Sequence, residues 1–191
     1  MRFSEIEKMH LLKAWIAVSL AFGIILGDIL SPTFLIIFAI SLFTVGTGFL
    51  LHEIAHKLVA QRYGCFAEFR ANDRMLIFAI FSAFLGFVFA APGAVFISGN
   101  ITKEKNGKIS FVGPFTNFIL ALIYLGISSV FSVGGMLASA LKYGFQINAF
   151  IALFNMIPFL NFDGQKIWAW NKVVYIIFIT LSAALVIVSQ L

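Results

Sequence analysis

The segment His52-Glu53-Ile54-Ala55-His56 has the residue types and the spacing for metal chemistry. Residues four apart lie on one face of an α-helix, so both imidazoles can reach one metal ion. Zinc with an open coordination position lowers the pKa of its water molecule to about 7, and the carboxylate of Glu53 lies close enough to take the proton. Because this pentapeptide holds two of the three histidines in the chain, it predicts a metal site.

The composition places this motif in an apolar setting. Of the 191 residues, 61% are hydrophobic, 16% are aromatic and only 11% are charged. A soluble domain is about 45–50% apolar and about 25% charged, so an ordinary soluble domain and a disordered chain are both excluded. Inside a hydrophobic span, His and Glu are costly and usually functional, which favours a metal site over a solvated helix face.

A third metal ligand is needed, because catalytic zinc usually has three protein ligands and one water. His10 is the only other histidine, but it precedes the first apolar run and is expected to be solvated or interfacial. Asp163 is the better candidate, because it closes a long apolar run within Asn161-Phe162-Asp163-Gly164. An Asp-Gly pair also favours a turn, and a turn at the end of a span can point a carboxylate inward.

The elements that must position these residues are apolar helices. Runs long enough to cross a bilayer lie at about residues 14–29, 33–60, 113–133, 137–158 and 173–191. Gly93–Ser98 is short, apolar and partly β-branched, which predicts a strand. Residues 63–73 mix apolar and charged types and are a weak candidate for a hairpin.

The ordered motifs resemble those of the site-2 protease family of intramembrane zinc metalloproteases. The family's N-x-x-P-x-x-x-x-D-G pattern is met at every fixed position between Asn155 and Gly164, and Gly113-Pro114-Phe-Thr-Asn117 resembles its G-P-x-x-N. Pro92-Gly93-Ala94-Val95 resembles the family's short Gly-containing strand. The matches run from about residue 45 to residue 164, and nothing resembles an appended PDZ or CBS module.

The resemblance implies a catalytic activity and a ligand set. It implies one zinc ion per chain, held by His52, His56 and Asp163, with Glu53 as the general base. The implied reaction is hydrolysis of peptide bonds in or near transmembrane segments of other membrane proteins. The expected partners are therefore a transmembrane protein substrate and the lipid bilayer.

Further residues are expected to support the site or to bind substrate. Asn117 and Asn155 match family asparagines, and two roles stay open for them: substrate contact or hydrogen bonding between helices. Pro158 either bends the chain toward the metal or only stops a helix. Gly93, Ala94 and Val95 lie in the predicted strand, which could pair with an unwound substrate or only within the protein.

The ligands constrain the membrane topology. If residues 75–91 crossed the membrane fully, an odd number of crossings would separate His56 from Asp163, and the two could not share an ion. We therefore expect residues 75–98 to dip in and return as a re-entrant unit, which must be buried by protein. If the N-terminus is cytoplasmic, every Lys and Arg except Lys142 then lies on the cytoplasmic side of the membrane.

These expectations define one architecture. The chain is expected to be an all-α polytopic membrane protein with about five full transmembrane helices plus a re-entrant helix/β-strand unit. Residues 1–191 form a single membrane-embedded metalloprotease domain in this prediction. We expect it in the cell membrane, with the N-terminus and the active-site opening on the cytoplasmic side. The sequence does not predict the oligomeric state.

Other function classes remain open from the residues alone. An ion or solute transporter or a channel could use intramembrane His, Glu and Asp, but transport does not need an HExxH helix paired with a distal Asp-Gly. An inactive protease-like binding protein is a second alternative, and the intact Glu53 argues against it. No nucleic-acid partner is expected, because the basic residues are scattered at the ends of apolar runs.

Overall fold

The computed structural model describes residues 3–88 and 92–190, and most of these residues are helical. In chain order the elements are α1 (Glu5–Leu26), α2 (Phe34–Ser41), a π-helical turn (Leu42–Gly46), α3 (Thr47–Arg62), β1 (Phe66–Ala71), α4 (Asp73–Ala83), β2 (Gly93–Ser98), α5 (Lys103–Val130), α6 (Gly135–Phe154), α7 (Asp163–Trp170) and α8 (Lys172–Val188).

Among the described residues, four helical stretches are long and apolar enough to cross a membrane. They are Glu5–Leu26, Phe34–Arg62, Lys103–Val130 and Gly135–Phe154. The fifth predicted span corresponds to α8, which has 17 residues and therefore rises about 26 Å, close to the hydrocarbon thickness of about 30 Å. Large apolar side chains point outward from these helices, as expected for a surface in lipid. The chain is therefore a polytopic α-helical membrane protein, as the sequence predicted.

The two strands form one antiparallel pair that fixes the path of residues 72–92. The register runs from Phe66 opposite Ser98 to Ala71 opposite Gly93, and the Asn72 N–H donates to the Pro92 carbonyl at 3.0 Å. The segment between the strands therefore leaves and returns at one end of the sheet. Its helix α4 has 11 residues and rises only about 16 Å, about half of a bilayer core.

This pairing agrees with the predicted re-entrant path and corrects a local expectation. A full crossing by residues 75–91 is excluded, because both ends of that run lie beside the same sheet; residues 89–91 themselves lie outside the described residues. The hairpin expected at residues 63–73 does not form there. Residues 66–71 are instead a single strand whose partner is β2, because strand pairing depends on residues distant in sequence.

Helix α1 closes the outer edge of β1 and connects the sheet to α3. The Glu7 carboxylate accepts a hydrogen bond from the Phe69 N–H at 2.8 Å, and His10 Nδ1 accepts one from the Ala71 N–H at 3.2 Å. Glu7 also pairs with the buried ammonium of Lys57, which follows His56 on α3. His10, expected to be solvated or interfacial, is thus partly buried and binds the strand.

The helices that carry the candidate site pack around α5. This helix contacts α3, α6 and α7, so the segments that hold the histidines and the aspartate meet along it. The π-helical turn precedes α3, and its Leu42 carbonyl accepts hydrogen bonds from Trp15 Nε1 at 3.0 Å and from the Thr47 hydroxyl at 3.1 Å. The same carbonyl also accepts the backbone N–H of Thr47, so the widened turn is satisfied within the protein.

The fold predicts which loops share a membrane face. In a Cys65→Ser background, single cysteines at Lys103 and Gln165 should react with a membrane-impermeant thiol reagent from the same side. A cysteine at Ser132, in the connection between α5 and α6, should react only from the opposite side, because α5 and α6 each cross once. Labelling would be compared in intact and opened cells. Reaction of Lys103→Cys and Gln165→Cys from opposite faces would contradict this topology.

Candidate metal centre

Three buried side chains from two distant parts of the chain converge on one point. Asp163 Oδ2 lies 3.3 Å from His52 Nε2 and 3.1 Å from His56 Nε2. One ligand atom from each of the three residues lies within 4.8 Å of the other two. Nitrogen and oxygen ligands of a tetrahedral zinc ion, at about 2.0–2.1 Å from the metal, are themselves about 3.3 Å apart. The donor types and their separations therefore fit zinc.

The two histidines owe their position to adjacent turns of α3. Their rings meet edge to face, with centroids 4.7 Å apart and an interplanar angle of 82°. His56 Nδ1 lies 2.7 Å from the Ile109 carbonyl, and because a carbonyl only accepts, Nδ1 carries the proton. His52 Nδ1 lies 2.6 Å from the Asn117 side-chain oxygen in the same arrangement. Both Nε2 atoms are thereby left with a lone pair for a metal ion.

Asp163 is brought to the histidines by the connection between α6 and α7. The Gly164 N–H donates to the Asn155 carbonyl at 2.7 Å, which joins the start of α7 to the end of α6. A Cβ at Gly164 would lie 2.2 Å from the Met156 carbonyl oxygen, so this close approach requires glycine. The expected turn lies just before Asp163, where Leu160 and Asn161 have left-handed φ values of 55° and 62°.

The charge state of Asp163 suits a metal ligand. This residue begins α7, outside the four apolar spans. Burial alone would raise the pKa of its carboxyl, but the imidazoles of His56 and His52, when protonated at Nε2, lower the pKa by more, and the net shift is downward. A bound metal ion would take the place of those protons. The Lys166 ammonium lies 3.8 Å from the other carboxylate oxygen and adds positive charge at the rim.

Gly113 gives α5 its close approach to the ligands. A Cβ there would lie 2.3 Å from His56 Nε2 and 2.6 Å from His52 Nε2. The missing side chain leaves space beside the two ligand atoms. Pro114 follows and has no N–H, so the helical hydrogen-bond ladder is interrupted in the same turn that carries the Ile109 carbonyl.

Glu53 lies beside the ligands at the wall of a cavity of about 510 Å³. Val95 of β2 lines the same cavity, and the HExxH helix packs against β2. The cavity is also lined by Gly93 and Ala94 of the strand and by Lys166. A carboxylate next to a metal site, in a cavity that reaches it, can act as a base.

The other expected residues occupy different positions. Asn117 is fully buried between helices, and its side-chain oxygen accepts a hydrogen bond from His52. It therefore contacts a candidate metal ligand and does not line the cavity. Asn155 lines the cavity, and its side-chain NH2 donates to the Ile151 carbonyl at 3.0 Å. Pro158 is exposed in the connection after α6, which ends at Phe154. Asn148, buried behind Asn117, was not expected from the sequence.

Comparison with known proteins gives the class of this site. The site is a buried cluster of two histidines and one aspartate that could hold a metal ion, within a bundle of apolar helices. The chain is 38% identical over 179 residues to the protein named "Putative zinc metalloprotease MJ0611" of Methanocaldococcus jannaschii, covering 92% of this chain and 90% of that protein. The chain belongs to this zinc metalloprotease family.

A second relative is more distant. It is "Zinc metalloprotease MJ0392" of the same organism, which is 29% identical over 118 residues. The match covers 61% of this chain and 30% of that longer protein. No family model and no solved structure matches the chain.

The packing of Gly113 against the ligands generates a test of the metal site. Purified protein should contain about one zinc per chain. Gly113→Ala should lose most of it, because the added methyl overlaps both Nε2 atoms, as should the His52→Ala, His56→Ala double variant. Gly126→Ala is the matched control on the same helix, since its Cβ would meet nothing within 4 Å. The measurement is zinc content by mass spectrometry. Full zinc content in Gly113→Ala would place the metal elsewhere.

Proposed function

We propose that this protein is an intramembrane zinc metalloprotease of the site-2 type, which hydrolyses peptide bonds in or near transmembrane segments of membrane proteins. One observation carries the proposal. The ligand cluster and Glu53 open into a cavity that is also bordered by the free edge of a β-strand, within a bundle of membrane-spanning helices. A hydrolytic site and a surface for an extended peptide are thus adjacent.

The chemistry assigns a role to each residue. His52, His56 and Asp163 would hold zinc, which when bound supplies a Lewis acid that polarises a carbonyl and acidifies water. Glu53 accepts the proton of the attacking water and returns it to the leaving amine. Val95 of β2 lines the same cavity as Glu53.

The free edge of β2 follows from the way β1 is bonded. The Phe69 and Ala71 N–H groups bond to α1, so these two residues do not exchange hydrogen bonds with the residues opposite them in β2. In an antiparallel pair, the backbone groups of those opposite residues point away from the partner strand. The outward positions of β2 are therefore Gly93, Val95 and Ile97, and all three line the cavity.

A substrate could add to this edge as a third strand. The scissile carbonyls of a membrane helix are engaged in its own hydrogen bonds, so a substrate must unwind locally before hydrolysis. The outward groups of Gly93 and Ile97 offer replacement partners for the unwound backbone. Because Val95 lies between them and lines the same cavity as Glu53, a peptide paired to β2 passes close to the base. No other described strand occupies this edge.

The orientation belongs to the same proposal. The re-entrant segment 72–92 returns to the face on which α5 begins with Lys103, Lys105 and Lys108. Basic residues favour the cytoplasmic face, so we place the N-terminus and the cavity opening there, in the cell membrane. Water then reaches Glu53 from the cytoplasm, while substrates arrive through the bilayer.

Glu53→Gln tests the catalytic role. The amide keeps the shape of the side chain but cannot accept the proton from water, so proteolysis should fall by about 10²–10⁴-fold or more while zinc stays bound. Cleavage of a membrane-protein reporter would be followed beside zinc content. The control is Glu104→Gln, an exposed carboxylate on α5 that pairs only with Lys108 in the described contacts. Near-normal cleavage by Glu53→Gln would show that Glu53 is not the general base.

Ile97→Pro tests strand addition. Proline removes the outward N–H of Ile97 and leaves the β1–β2 ladder intact, so kcat/KM for a membrane substrate should fall by about tenfold with unchanged zinc content. Ile97→Ala is the control, because it trims the side chain and keeps the backbone donor. Equal kcat/KM in the proline and alanine variants would show that substrate does not bond to this edge.

A further inference from the structure

We infer that Asn148 is a positioning residue for the metal site: it fixes the orientation of the Asn117 amide, which in turn fixes the proton on His52. The inference rests on the metal site of the proposed function. Asn148 lies on α6, is fully buried and contacts no metal ligand in the described contacts. Its effect on the ligand is therefore transmitted through Asn117.

The chain of hydrogen bonds has one possible direction. It starts at the Gly144 carbonyl, which can only accept, and which binds the Asn148 NH2 at 2.9 Å. The Asn148 oxygen must then face the other way, where it accepts from the Asn117 NH2 at 2.9 Å. The same NH2 donates to the Gly48 carbonyl at 3.2 Å.

This direction decides which end of the Asn117 amide meets the ligand. With its NH2 engaged twice, Asn117 presents its oxygen to His52 Nδ1 at 2.6 Å. His52 therefore carries its proton on Nδ1 and keeps the Nε2 lone pair toward Asp163. If the Asn117 amide were reversed, its oxygen would face two other oxygens, those of Gly48 and Asn148. Asn148 supplies one of the two contacts that exclude that reversed state.

The surrounding packing leaves little freedom for another arrangement. A Cβ at Gly48 would lie 2.3 Å from the Asn148 oxygen and 3.3 Å from the Asn117 nitrogen. Glycine at this position lets the two amides approach α3. Partners that orient a metal-binding histidine typically change metal affinity by 10–100-fold when they are removed.

The test measures zinc affinity of the full-length protein in detergent, by competition with a chromophoric chelator. Asn148→Leu should weaken zinc binding about tenfold or more. Gln146→Leu is the matched control: Gln146 lies on the same helix and donates to the Ser189 carbonyl at 2.9 Å, away from the site. If Asn148 only packs helices together, both variants lower thermal stability and neither changes zinc affinity, which would overturn the inference.

A second background isolates orientation from packing. In Asn117→Asp, either carboxylate oxygen can accept from His52, so no wrong orientation exists. The loss of zinc affinity caused by Asn148→Leu should disappear in this background. An equal loss in both backgrounds would overturn the inference, although the metal site itself would stand.

Variants on the facing helix cover the case in which Asn148→Leu does not fold. Gly48→Ala displaces the Asn148 oxygen from α3 and should also weaken zinc binding about tenfold, with Gly126→Ala as its control. Unchanged affinity in folded Gly48→Ala would contradict the role of Asn148. Absence of zinc binding by the wild-type protein would instead reject the proposed function, and this inference with it.

Discussion

A buried polar group among apolar helices has to find its hydrogen-bond partner within the protein, and the candidate site is organised by this requirement. An unsatisfied buried donor or acceptor costs about 1–3 kcal/mol, and lipid offers no alternative partner. The histidines of α3 meet it by donating to a side-chain oxygen and to a backbone carbonyl of α5. These bonds set the orientation of the imidazole rings. The same contacts therefore satisfy the buried polar groups and hold the rings in the geometry needed for metal binding.

The same requirement explains why α1 supports the site although it supplies none of the three residues of the metal-ligand cluster. The Glu7 carboxylate satisfies the outer edge of β1 and neutralises Lys57, and both charged groups are buried. Removing one member of a buried ion pair typically costs about 3–5 kcal/mol, because the other charge is left uncompensated. The sheet is thereby attached to the helix that carries Glu53. With its β1 side covered, the sheet can extend only at β2, which faces the cavity.

The sequence predicted the membrane class from composition, and it named His52, His56 and Asp163, which the structure brings into one cluster that could hold a metal ion. The two histidines follow from local spacing, whereas Asp163 needed its place at the end of an apolar run and the family resemblance. Because His56 and Asp163 must lie on the same side of the membrane to share an ion, the sequence also predicted that residues 75–91 do not cross it. The pairing of β1 with β2 agrees with this prediction. The partner of residues 66–71 could not be predicted, since strand pairing joins distant segments and this stretch lacks clean alternation. Asn148 was missed although a signal existed: an amide inside an apolar helix is costly and calls for a partner. Pro158 lies in the connection between the end of α6 and Asp163, and both roles considered for it stay open.

Close backbone approach by small residues is a general way to pack membrane helices, and here it also sets ligand distances. Gly48, Gly113 and Gly164 each lie where an added methyl group would overlap a side chain or backbone of the site. The helices must therefore pack tightly before Asp163 Oδ2 can lie 3.3 Å from His52 Nε2 and 3.1 Å from His56 Nε2. A metal ion that binds only this packed arrangement stabilises it in turn, by mass action. Tight packing of the helices and binding of a metal ion by these residues would therefore stabilise each other.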